Sequence, residues 1–503
     1  MKVPEAGDVY CVYSRHLRMY TACQITLWEP PKSKRDKGTA WVVGLDWAGE
    51  RPLTPDEMPG LKPLLLNHHH YSDDYDALNI HAYIPSHYQY IGTMEPLLTG
   101  APRAYSFGGW NEGLQYKLQK RWDRLPLALR QSYRQANTLP SVQIGDVNMS
   151  ANTQRVSAEV LRQFADPSEL SRFPRLTDLQ TDSLTDSLLE YIAGSSMISA
   201  LLVESGHGKR RIDVSGTSLL SLRIHVDDAE EIVLNPGLRE LTLVGSVSSP
   251  LRIDAEGGGE SLRLNVTGHV PHFAGLERLG ALSIWDVTEL DLAQIASRFG
   301  ALKELTLRGK PGLLTGLRHL RRCSGLQRLN VSDLFGFDVA DFPGPEELPQ
   351  LTWISMDSFP GEAAKVIKDK YKQEPYYHFY LDLTKPRKPE WLAENVDNPF
   401  RDWDGREDIS EAQLKKVSDL YKKTRRAMIA AVRQSGEAAE ADLKSLVIEY
   451  TEFFNRFDER TGFIETVERE EVFEALEQAI RVATDREELI GMLLDVFDET
   501  RDF

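Results

Sequence analysis

Five short phrases in the middle of the chain constrain its fold more than any other feature. They read Leu238-Arg-Glu-Leu-Thr-Leu243, Leu279-Gly-Ala-Leu-Ser-Ile284, Leu302-Lys-Glu-Leu-Thr-Leu307, Leu326-Gln-Arg-Leu-Asn-Val331 and Leu351-Thr-Trp-Ile-Ser-Met356, all close to L-x-x-L-x-L. A weaker copy, Gly259-Glu-Ser-Leu-Arg-Leu264, fills the one gap. The central apolar residues are then Leu241, Leu262, Leu282, Leu305, Leu329 and Ile354, at intervals of 21, 20, 23, 24 and 25 residues. Successive strand residues point to opposite faces, so each phrase buries its leucines and turns the residues between them outward. Six such phrases predict strands stacked one on the next, each burying its apolar side only against its neighbours.

The pattern resembles the strand segment of a leucine-rich repeat, a fold that implies a binding surface more often than chemistry. Between Arg211 and Val266 strand phrases recur about every ten residues: Ile212–Val214, Leu222–Ile224, Ile232–Leu234, Leu241–Leu243, Leu251–Ile253 and Leu262–Leu264. One repeat there holds two strands, one for each side of the solenoid. Later repeats place helical sequence in the second position, at Leu290–Phe299 and Leu313–Arg322. A flat strand–strand half is expected to lead into a more curved strand–helix half. The asparagine that usually follows such a phrase is absent, with Ser246, Lys310 and Leu334 near its place.

The outward positions are Glu240, Thr242 and Val244, then Ser261, Arg263 and Asn265, then Ser283 and Trp285. Glu304, Thr306 and Arg308 follow, then Arg328, Asn330 and Ser332, then Trp353, Ser355 and Asp357. Tryptophan and arginine are enriched among interface hot spots. Arg263, Asn265, Trp285, Thr306, Arg308, Arg328, Asn330, Trp353 and Asp357 are therefore the candidate partner-binding residues of this face. The alternative is that Trp285 and Trp353 pack against flanking domains.

With 503 residues the chain is too long for one core. The expected division is 1–100 (small β-rich domain), 101–170 (helical connector and linker), 171–384 (repeat solenoid) and 385–503 (acidic helical bundle). The fold class is thus multi-domain α/β around a central solenoid. No apolar run follows the N-terminal Lys2, and none approaches the roughly 18–20 residues of a membrane span. Three cysteines, Cys11, Cys23 and Cys323, are too few for a disulfide framework, so a cytoplasmic location is expected. A formal net charge of −17 disfavours nucleic acid; it fits either attraction to a basic protein partner or acidity that serves solubility alone. No membrane partner is expected, and oligomeric state is not legible.

The first hundred residues alternate as strands: Val9, Cys11 and Tyr13, then Thr21, Cys23, Ile25 and Leu27, then Thr39–Trp47. The order Gly7-Asp8-Val9-Tyr10, Asp46-Trp47, Leu61-Lys-Pro-Leu64 and Tyr90-Ile91-Gly92 resembles the immunity-protein domains of bacterial polymorphic toxin systems. The resemblance covers under a fifth of the chain and implies a toxin as the partner. His68-His69-His70, with Asp73, Asp74, His81 and His87, offers metal-binding residue types. Adjacent histidines in a strand face opposite ways, however, so at most two of the three share a site.

Trp110, Leu114, Leu118, Trp122, Leu125 and Leu129 follow at helical spacing, and Asn137–Asn152 reads as a linker. Tyr376–Leu383 fits a last strand closing the array, and Lys385-Pro-Arg-Lys-Pro389 fits a stiff basic connection. Asn398–Trp403 fits an anchored loop whose aromatics dock on the C-terminal segment. That segment predicts four helices, the first beginning at a Ser410/Gln413 capping box. It exposes Lys415, Lys416, Lys422, Lys423, Arg425 and Arg426, whereas 435–503 holds 20 acids against 7 bases, a net of −13. Glu470 and Glu474 represent that acid surplus as candidate contacts for a basic partner.

Gly206-His-Gly-Lys209 lacks the first glycine of a phosphate loop, and no G-x-S-x-G, C-x-x-C or G-x-G-x-x-G occurs. Nothing argues for an enzyme or a cofactor. The expected function is an immunity protein that binds and neutralises a cognate toxin, for which a basic nuclease suits the acidic tail. A scaffold or adaptor without a toxin partner is the alternative. A metal-dependent enzyme using His68 to His70 is a weaker one.

Overall fold

The computed structural model describes residues 2–33, 36–99, 110, 112–227, 229–247, 251–406, 408–433 and 437–503, apart from the side chains of Glu394, Glu437 and Ala438. It divides into two compact units, Met1–Arg387 and Lys388–Phe503.

In the first unit the repeat phrases form an eleven-stranded sheet whose neighbours all run parallel. Its register places Leu222, Leu241, Leu264, Leu282, Leu305, Leu329 and Ile354 in one column, each fully buried. The weak repeat is corrected here. Leu264, not Leu262, pairs with Leu241 and Leu282. The reason is the turn at Gly257–Gly259, where all three residues have positive φ and carry the chain two residues further before the strand begins. The outward residues of that strand are therefore Arg263, Asn265 and Thr267, and Ser261 lies before it.

A second parallel sheet, of Arg211–Asp213, Glu231–Val233, Leu251–Asp254 and Phe273–Ala274, backs the first half. From Leu292 this side turns helical, with an α-helix at Leu292–Arg298, a 3-10 turn at Leu317–Arg322 and an α-helix at Gly361–Lys370. Asp291 starts the first of these by accepting from the Ala293 N–H at 2.9 Å. Strand–strand repeats thus give way to strand–helix repeats.

Directly after the last outward residue of many ladder strands the backbone turns left-handed, at Gly245, Gly268, Asp286, Asp333, Ser358 and Lys385. Glycine, aspartate and serine suit this position because short polar or absent side chains tolerate positive φ. From Asp286 onward the left-handed residue bends the strand without ending it, since pairing resumes beyond it at Leu290 with Leu314 and at Phe359 with Pro386.

The parallel ladder begins at Arg155–Val156, earlier than the expected 171, and ends at Tyr380–Arg387. Residues read as a linker form a hairpin, Val142–Ile144 with Val147–Met149, whose Val142 and Ile144 join the array's core. Apolar residues at Val142 and Ile144 leave no polar linker there. A stacked array needs such cover where its first strand would meet water.

The N-terminal segment is a five-stranded antiparallel sheet in the spatial order Ala77–Ile80, Thr39–Gly49, Met19–Glu29, Asp8–Ser14, Gln89–Thr93. Val9, Cys11, Ala22, Val43 and Leu45 pack under Leu53 and Met58 on one face. Tyr10, Val12, Cys23, Ile25 and Val42 pack on the other with Tyr83, Tyr88, Trp110 and Tyr380. The three cysteines are free and buried. This sheet, the connector helices and the ladder are one unit.

The second unit opens with a short helix, Pro389–Asn395, and a 3-10 turn, Arg401–Trp403, followed by the longer helices Glu411–Val432, Glu437–Thr461, Thr466–Ala483 and Glu487–Thr500, called first to fourth below. The first and fourth each pack on the second and third. Phe400 and Trp403 are fully buried in its core with Tyr421, Tyr450, Phe454 and Phe497. Trp403 donates to Glu471 at 2.8 Å, and Arg406 pairs with Glu468 and Glu471 at 2.6 Å each. No helix among the described residues is long and apolar enough to cross a membrane.

Leu305 is fully buried with strands on both sides. Leu305→Ala is expected to lower the unfolding free energy of the first unit by about 2–5 kcal/mol in urea titrations. A change below about 0.5 kcal/mol would contradict the register.

Candidate functional site

The outward face of the ladder resolves into three rows. A near row runs Glu240, Arg263, Ala281, Glu304, Arg328, Trp353, Tyr380, and a middle row runs Thr242, Asn265, Ser283, Thr306, Asn330, Ser355, Asp382. A far row holds Val244, Thr267, Trp285, Arg308, Ser332, Asp357 and Thr384, each but Arg308 just before a left-handed residue.

The N-terminal sheet lies on the near row. Arg15, with 8% of its side chain exposed, donates to Glu304 at 3.1 Å, and Ser261 donates to the Arg15 carbonyl at 2.7 Å. Arg18 pairs with Glu256 at 2.6 Å. Further along, the Ile84 N–H donates to the Tyr377 carbonyl at 2.8 Å. Trp353 stacks on Tyr380 at 3.8 Å, with Tyr83 5.5 Å away and the Arg328 guanidinium 4.7 Å from its ring. The connector helix Leu114–Asp123 adds Arg121, which donates to the Ser218 and Ser196 carbonyls at 2.9 and 2.8 Å.

Of the residues expected to bind a partner, Arg263, Arg328 and Trp353 therefore face this chain's own N-terminal segment. Arg263 pairs with Glu304. Trp353 packs against a flanking domain, the alternative drawn from the sequence. In the middle row Asn265 donates to Glu240 at 2.5 Å and Asn330 to Thr306 at 3.2 Å, while Asn330 accepts from the Trp353 ring N–H at 2.8 Å. The far row is open. Trp285 is 41% exposed, Thr267 and Arg308 are exposed, and Asp357 is half-buried, accepting from Thr384 at 2.6 Å.

Beneath the N-terminal sheet a cavity of about 350 Å³ is lined by Arg15, Arg239, Arg263, Arg328, Glu112 and Glu304, among others. Burial works against the charge on Glu112, but the His87 ring at 3.0 Å and the nearby Arg15 outweigh it and hold the carboxyl at about 2. Glu304 is likewise buried and likewise held down, by Arg263, Arg328 and Arg15. His16 is pushed down to about 4 by burial and by the cations Arg239 and Arg15. Alternation along the strand marks Glu304 as outward, but Arg15 is 289 residues upstream, and nothing in the sequence joins the two.

In the second unit Glu470 and Glu474 are exposed one turn apart on Thr466–Ala483, beside Val467 at 57% exposure. The basic first helix meets this acidic segment through Lys423 and Glu449 at 3.8 Å.

His68, His69 and His70 line a separate cavity of about 350 Å³ against the connector helices and the first repeats. His68 contacts Gln115 at 3.0 Å, and the His69 ring lies 5.4 Å from Trp122 and 5.7 Å from Tyr133. Burial, then His68, pushes His69 down to about 4. Among the described residues no group of three or more His, Cys, Asp or Glu is placed to hold a metal ion.

No protein-family model and no curated protein matches the chain. Two solved structures from Listeria monocytogenes align with part of it. An internalin C2 is 13% identical, covering 52% of this chain and 93% of its own, with a TM-score of 0.18. An internalin, inlF, is 15% identical, covering 54% and 77%, with a TM-score of 0.22. The assignment of a repeat solenoid rests on the strand register and not on these alignments.

Burial of His16 and Glu112 under the N-terminal sheet, and of His69 against the connector helices, sets a pH dependence. An unfolded histidine binds its proton near pH 6.5, whereas folded His16 and His69 bind theirs only near 4. Stability of the first unit should therefore fall as pH drops from 6.5 to 4, and fall again below 4.5 as Glu112 is protonated. His16→Asn should flatten the upper part of this profile, measured by urea unfolding at each pH. An unchanged slope would place His16 in water.

Proposed function

We propose that the protein is a bacterial protein-interaction scaffold whose ladder presents its far row to a protein partner. The observation that carries this reading is Trp285, 41% exposed in a row that the N-terminal sheet does not reach, with exposed Arg308 on the next strand. A large exposed aromatic beside an arginine suits a binding hot spot. The finer reading, supported by the sequence resemblance of the first hundred residues, is immunity: the partner is a cognate toxin neutralised in the cytoplasm. A basic nuclease is the toxin class that the net −13 of residues 435–503 would attract.

Co-expression with each protein encoded beside this gene tests both levels, since immunity requires one of them to be toxic. Immunity predicts that the wild-type protein protects cells and binds the toxin directly. The double variant Trp285→Ala with Arg308→Glu should weaken that binding by roughly 2 kcal/mol or more, about thirtyfold. Charge reversal at Glu470 and Glu474 should weaken it and reduce its salt dependence. Failure to protect, together with a non-toxic partner that the double variant loses, would leave the scaffold and remove immunity. Binding untouched by the double variant would remove the far row.

A further inference from the structure

We propose that the cavity between the N-terminal sheet and the near row binds a small phosphorylated anion. Its lining carries four arginines, Arg15, Arg239, Arg263 and Arg328, against two carboxylates, Glu112 and Glu304, in a chain whose formal net charge is −17. The carboxylates are already engaged. Glu304 takes Arg15 and Arg263, and Glu112 takes His87. Arg239 has no such partner: its Nε is buried without a hydrogen bond among the described residues, as is His16 Nδ1. An adjoining cavity of about 260 Å³ shares Arg15 and His16 and adds Arg18 and Lys117.

Four arginines, one buried and three half-buried, share two carboxylates here, and crowded cations with donors left unmatched are costly unless an anion answers them. The Lys117 ammonium of the adjoining cavity is pushed down, by burial first and then by the Arg239 and Arg121 charges. Arginine forks match phosphate oxygens two at a time, which favours a phosphoryl group over a monovalent ion. A volume of about 350 Å³ is at the small end of ligand pockets, which span about 300–1,000 Å³, so the ligand is a small molecule and not a chain. No far-row residue lines the cavity, so this proposal does not rest on the partner reading.

Calorimetric titration of the full chain tests it, with inorganic phosphate and glycerol 3-phosphate as probes at constant ionic strength and sodium chloride as the blank. Saturable binding is expected, weakened about tenfold by Arg239→Gln, the loss of one charged donor pair. Arg239→Lys, which keeps the charge and loses the fork, should fall between the two. Arg318→Gln, in the turn Leu317–Arg322 outside the cavity, should bind as the wild type does. Tighter binding of the ester identifies a phosphomonoester as the ligand, and equal binding identifies phosphate itself. Heats no larger than the chloride blank, or wild-type binding by both Arg239 variants, would overturn the site.

Discussion

Each central ladder strand buries one leucine, from Leu222 to Leu329, between the strand before and the strand after, and none of these side chains reaches water. Each such burial stabilises by about 1.5–3 kcal/mol, and no repeat obtains it alone. That mutual dependence explains the two ends. The hairpin with Val142 and Ile144 covers the first strands, and Tyr380–Arg387 continues the ladder beyond the last leucine phrase. It also fixes the outward face, because a strand whose alternate residues are locked inside must turn the others out in straight rows.

The rows are unequal. The near row carries the charges that would be least at home under a second sheet, Arg263, Glu304 and Arg328, yet it is the one that the N-terminal sheet covers. Removing charges from water is tolerable when each meets an opposite charge at close range. Glu304 meets two, Arg15 from the sheet and Arg263 from its own face. At the other end Trp353, Tyr380 and Tyr83 stack together, and the Arg328 and Lys37 cations lie over the Trp353 and Tyr380 rings. The far row is left uncovered by these contacts, with Trp285 and Arg308 exposed on adjacent strands.

Leucine spacing was enough to place the ladder strands, and the ten-residue rhythm from Ile212 to Leu264 was enough to place a second sheet behind the first half. Both are local patterns with a fixed geometric meaning. The weak repeat was misplaced by two residues because both Leu262 and Leu264 fit an apolar position, and only pairing with Leu241 separates them. The covered half of the outward face was not legible. Alternation marks Trp353 and Trp285 alike as outward, and the difference between them is contact with Tyr83 and Tyr380, one of them 270 residues away in sequence. Arg15, Glu112 and Arg239 carry no motif at all. Their significance arises only when the sheet and ladder meet.

Hydroxyl-radical footprinting read by mass spectrometry compares the rows of this face in solution, since oxidation of a side chain follows its exposure. The account predicts ready oxidation of Trp285 and protection of Trp353 in the same molecule. Equal oxidation of the two would mean that the N-terminal sheet does not cover the near row, and would contradict the account at its centre.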